Sequence, residues 1–189
     1  MQKLYCYVDE TGQESKSKNF IVSIILIEKE RDQLLKVCEQ LEQISGKRKD
    51  KWGSAKHQRR MRFLRYVLAD DRFKGTLRYS ITPNTREYDR STIEGIVSAI
   101  GWKKPKEKFT TVIYVDGLSK TKRRECAVGL RRMGVPVAKV RGIAKDESNA
   151  LTRLADTIAG FVSDAIKECS TEIFTLYKRA LREQVLIEV

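Results

Sequence analysis

The feature that most limits the fold of this chain is its longest apolar run, FIVSIILI at 20–27. It is far shorter than the roughly 18–20 apolar residues a helix needs to cross a bilayer. Its length and β-branched composition are those of a strand. A first strand is expected over 3–9, and the polar loop at 10–18 between the two predicts an antiparallel hairpin pair. Helical spacing of Leu34, Val37, Leu41 and Ile44 predicts a helix over 29–44, stopped at Ser45-Gly46. The basic linker GKRKDKWGSAK then leads into a helix over 57–68, with Met61, Leu64 and Leu68 as its apolar stripe. Strands at 75–82, 110–115 and 135–141 alternate with helices at 88–100, 120–133 and 147–167, and a final helix covers 171–186. This order specifies an α/β fold, a mixed sheet of about five strands flanked by helices. Residues 1–170 read as one domain. The remainder, 171–189, is either part of it or a homodimerisation element, with Ile173, Phe174, Leu176, Tyr177 and Leu181 as the apolar surface.

Charge narrows the partners. Lys and Arg number 38 against 25 Asp and Glu, a net charge of +13 and an isoelectric point of about 9.7. Such an excess points to a polyanion, since basic surfaces bind phosphate backbones by releasing counterions. No amphipathic segment with bulky apolar anchors suggests a membrane surface. Asp9 and Glu10 interrupt any signal-peptide pattern, and Cys6, Cys38, Cys126 and Cys169 are too widely spaced for a zinc site. They read as reduced thiols of a cytoplasmic protein. His57 is the only histidine, which leaves little for a histidine-dependent triad or a multi-histidine metal site.

Three carboxylates fall where different elements meet. Asp9 ends the first strand, Asp116 ends the fourth, and Asp156 lies in LADTIAG on the long helix. Two strand ends and a helix can converge at one rim of a sheet, where α/β proteins commonly bind ligands. Asp156 has Leu154, Ala155, Ile158 and Ala159 around it, so it borders a core-facing surface and needs a partner, either a cation or a basic side chain. Each acid taken singly also reads as a turn former or a salt-bridge residue.

The opening YVDETG, the strand end VIYVDG and the helix NALTRLADTIAGFV resemble the domain of unknown function 3800 family. Its members begin with a D-E-S-G-like turn, in which Thr11 here replaces the serine. They later carry an Asn or Ser followed by a helix with a leucine ahead of A-D-x-x-A-G, matched by Asn149, Leu151, Ala155, Asp156 and Gly160. KWGSAKHQRRMRFLRYV is similar to the family's basic middle segment, and the likeness spans roughly residues 4–165. It implies a ribonuclease H-like fold and nuclease activity, with Asp9, Asp116 and Asp156 as the acidic core. The fourth acid is left open among Glu10, Asp146 and Glu147, since the helix over 29–44 offers only Glu39 or Glu42.

On this basis Asp9, Glu10, Asp116 and Asp156 are expected to be catalytic. Asp9, Asp116, Asp156 and Asp146 are the expected ligands of two Mg²⁺ or Mn²⁺ ions. Lys145 or Lys120 is the expected contact to the scissile phosphate. Lys47, Arg48, Lys49, Lys51, Lys56, Arg59 and Arg60 are expected to grip a nucleic-acid backbone, with Trp52 stacking on a base or sugar. The alternative is a catalytically inactive nucleic-acid- or partner-binding module of the same fold, in a mobile-element or defence system.

Overall fold

A computed structural model describes residues 1–13, 18–102, 108–143 and 149–189. Six strands form one sheet in the order β5-β4-β1-β2-β3-β6. β1 (Gln2–Thr11) lies at its centre, antiparallel to β2 (Asn19–Ile27) and parallel to β4 (Phe109–Asp116). β3 (Leu77–Pro83) continues the antiparallel meander from β2, and β5 (Val137–Ile143) runs parallel to β4.

Helices cover both faces of the sheet. On one side α5 (Ala150–Ile166) packs on β1 and β2, joined by α1 (Arg31–Ser45), α2 (His57–Ala69) and α6 (Thr171–Arg182). On the other, α3 (Tyr88–Trp102) packs on β2 and β3, and α4 (Lys120–Arg132) on β5. The double cover explains FIVSIILI. Ile21, Ile25 and Ile27 enter the α5-side core and Phe20, Val22, Ile24 and Leu26 the α3-side core, so both pleats are apolar. The one polar residue in the run, Ser23, is fully buried and donates its hydroxyl to the Ala155 carbonyl at 2.7 Å. That bond satisfies the hydroxyl and fixes α5 on the sheet.

Expectations change at the C-terminal end and on α1. A sixth strand, β6 (Leu186–Glu188), pairs parallel with β3, so the last helix ends at Arg182 rather than at 186. On α6 the apolar face is used within the chain: Ile173, Tyr177 and Ala180 are buried against α5, and the Tyr177 and Tyr79 hydroxyls lie 2.6 Å apart. On α1, Ile44 is exposed, and Glu42 is buried in a bidentate pair with Arg153 of α5 at 2.8 and 2.6 Å. Among the described residues no helix is long and apolar enough to cross a membrane.

Candidate active site

Strand alternation and the β1–β4 pairing set out the acids. Tyr5 and Tyr7 pack on the α5 side of β1, and Asp9 follows in the same phase. Val8 is the last β1 residue in register with β4, opposite Val115, so Asp9 and Asp116 come next on adjacent parallel strands. Gly117 takes the left-handed turn that releases the chain after Asp116 (φ 65°). Asp9 pairs across the sheet with Ser23, whose hydroxyl holds Ala155, the residue before Asp156. Two strands and one helix thereby converge on one rim.

Lys51 is the ammonium group paired with the acids, and Lys47 adds its charge at Asp156. Lys51 Nζ lies 2.7 Å from Asp116 Oδ2, and its charge also acts on Asp9 and Asp156. Burial, then the charges of Asp156 and Asp116, push the Asp9 carboxyl up to about 7, against the Glu10 backbone N–H it accepts at 2.9 Å. Burial likewise raises Asp156, opposed by the Trp52 backbone N–H and by Lys51 and Lys47. Lys51 itself is raised, chiefly by its hydrogen bond to Asp116. These are the marks of a carboxylate cluster short of positive charge. Among the described residues no three Asp, Glu, His or Cys side chains form a ready coordination shell. As donors the trio still suits a hard divalent cation, and Lys51 already places a positive charge there.

Glu10 is not part of this group. β1 runs on to Thr11 without a break, so alternation turns Glu10 to the opposite face. There its carboxylate accepts from Thr92 of α3 and from Gln13 Nε2 at 3.3 Å. Glu42 is also elsewhere, in the buried pair with Arg153. Lys145, Asp146 and Glu147 lie outside the described residues. Lys120 is exposed in the first turn of α4.

The segment expected to grip nucleic acid does something else in part. Trp52 is only 5% exposed and lies on Gly160 of α5, where a β-carbon would come within 2.3 Å of the indole. Its backbone N–H donates to Asp156 Oδ2 at 2.7 Å and its indole N–H to Asp164 Oδ2 at 2.9 Å. Arg60 covers the indole, 4.4 Å from the ring centroid, and donates to the Trp52 carbonyl at 3.0 Å. The indole is walled in and cannot stack on a base; it anchors the segment whose backbone N–H holds the Asp156 carboxylate. Lys47 is fully buried, 3.6 Å from Glu42 and over the Phe63 ring, and burial lowers its pKa. Arg48, Lys49, Lys56 and Arg59 remain on the surface.

Asp164 and Ser23 are the residues the sequence reading missed. Asp156, Gly160 and Asp164 follow at i, i+4 and i+8 on a largely buried helix, a stripe that marks the docking line of a second segment. Ser23 is visible only as the lone hydroxyl in an apolar strand.

No family model matches the chain, and no curated protein matches it in sequence. Solved structures do. A chain of the complex between PCNA and ribonuclease HII of Archaeoglobus fulgidus superposes with a TM-score of 0.54 at 18% identity, over 90% of this chain and 76% of that one. Ribonuclease H2 of Pyrococcus horikoshii OT3 gives 0.53 at 17% identity, over 93% and 76%. The chain has a ribonuclease H-like fold.

Proposed function

We propose that this chain is a metal-dependent nuclease that hydrolyses phosphodiester bonds in DNA or RNA, and that it belongs to the domain of unknown function 3800 family. The observation that carries the reading is the gathering of Asp9, Asp116 and Asp156 around one cationic group at the rim of a ribonuclease H-like sheet. Three oxygen donors of this kind would hold Mg²⁺ or Mn²⁺, in one or two ions, with Asp146 as a further candidate ligand. When bound, such ions polarise the phosphoryl group and supply a nucleophilic hydroxide at neutral pH. The chain's part is to keep the carboxylates oriented. Ser23 fixes the height of α5 against β2, the neighbour of β1, and the Trp52 N–H directs one oxygen of Asp156. Asp9, whose carboxyl is pushed up to about 7, would be held as a carboxylate by a cation at the rim. The described cysteines are free and three are buried, which fits a reducing cytoplasm.

The contact of Lys51 with Asp116 favours a second reading, an inactive module whose lysine permanently neutralises the acids. One assay separates them. Labelled RNA, DNA and hybrid strands are incubated with the protein in EDTA and then in excess Mn²⁺. The enzyme reading expects cleavage only with the metal, and a loss of at least about a hundredfold in Asp156→Asn. Absence of cleavage of every strand, or an Asp156→Asn variant as active as wild type, removes it.

A further inference from the structure

We infer that the open half of the sheet face beside Asp116 seats a single-stranded nucleic acid, with Tyr114 as its stacking surface and Arg141 and Lys139 as its phosphate contacts; this rests on the nuclease reading and names its substrate class. α5 packs mainly on β1 and β2, while α4 covers β5 from the other side. The α5-side surface of β4 and β5 therefore carries half-exposed Val112 and Tyr114 beside exposed Lys139 and Arg141.

A bulge makes the surface basic. The β4–β5 register shifts between Thr111 and Val112, so that Val112 faces Lys139 and Tyr114 faces Arg141, with Ala138 skipped. Without that extra residue Lys139 would pair with Ile113 and point into the α3-side core. The bulge re-aims two cations onto the face that holds the acids.

The aromatic part is built to stay flat. Tyr7 and Tyr114 are register partners with rings stacked 4.7 Å apart and 5° from parallel. Arg31 donates to the Tyr7 hydroxyl at 2.7 Å and covers the Tyr5 ring, which pins the inner end of the row. At the outer end the Arg141 guanidinium lies over Tyr114, 5.8 Å from its centroid, at the edge strand of the sheet. This row of stacked π-systems runs parallel to the Asp9–Asp116 row and two residues before it, about 7 Å along the strands. A base that takes the place of the exposed Arg141 guanidinium on the outer face of Tyr114, with Arg141 and Lys139 turned to its phosphates, brings the neighbouring phosphate to the acids. An unpaired strand is required because stacking needs an exposed base face, which a duplex covers. The contact is sequence-tolerant, and the net charge of +13 suits a phosphate chain.

The test is fluorescence anisotropy with the full chain in EDTA, using fluorescein-labelled single-stranded RNA, single-stranded DNA and the matching duplex. Wild type is expected to bind a single strand more tightly than the duplex, and the RNA and DNA arms show which sugar is preferred. Tyr114→Ala is expected to weaken single-strand binding roughly 5- to 100-fold, with Tyr114→Phe close to wild type. Arg141→Gln and Lys139→Gln, both surface changes, are each expected to lower the slope of log affinity against log salt by about 0.7. Unchanged affinity and slope in Arg141→Gln and Tyr114→Ala, or a preference for duplex, overturns the assignment. If those variants are unchanged while cleavage still depends on Asp156, only this surface is wrong. If wild type neither binds nor cuts any strand, the nuclease reading falls as well.

Discussion

At the residue scale, Asp9 is the most strained titratable group of the site. Its carboxyl is raised from the ordinary range to about 7 by burial and by two neighbouring acids. In the unfolded chain it ionises near 4, so between about pH 4 and 7 the folded state binds a proton that the unfolded state does not. Stability contributed by this group is therefore present at low pH and is lost as pH rises through 7. Asp9→Asn is expected to stabilise the metal-free protein by roughly 1–3 kcal/mol at about pH 8, with the gain gone near pH 4. Urea unfolding at the two pH values checks this. Excess Mn²⁺ is expected to reverse the order at about pH 8, because only the wild type has all three carboxylates to bind it.

At the element scale, the 46–56 segment is held to α5 by one notch and two acids. Gly160 makes the notch, and Asp156 and Asp164 receive the two N–H groups of Trp52. Gly160→Ala sets a methyl group against the indole and is expected to destabilise the fold by about 1–3 kcal/mol. It is also expected to red-shift Trp52 emission, read in a Trp102→Phe background because Trp102, the other tryptophan, is half exposed. A variant with native emission and stability would mean that the segment does not depend on the notch. Here too lies the boundary of what could be read from sequence. Asp9, Asp116 and Asp156 were legible because strand ends and helix faces are local patterns. Glu10 was left open because its face depends on whether β1 stops at Asp9 or continues to Thr11. The burial of Trp52 was hidden because its partner Asp164 is 112 residues away along the chain. Locally the same stretch reads as a charged, solvated loop with one aromatic in it.

At the scale of the whole molecule, the last residues complete the sheet. β6 adds only three residues, LIE, set off from α6 by Glu183, Gln184 and Val185, and the open edge of β3 is what makes them a strand. Leu186 is 1% exposed there. Leu186→Ala is expected to cost about 2–5 kcal/mol by chemical denaturation, as for other buried leucines, while a cost below about 0.5 kcal/mol would mean that the strand is not docked.

The parallel pairing of β1 with β4 also has a consequence for synthesis. Neighbours in a parallel pair need a long crossover, and here Asp9 meets Asp116 only after two further strands and three helices have been made. The third acid arrives forty residues later still. A ribosome-bound chain, or a fragment cut before α5, carries at most the Asp9–Asp116 pair. Assembly of the three acids on one rim is thereby tied to completion of the fold.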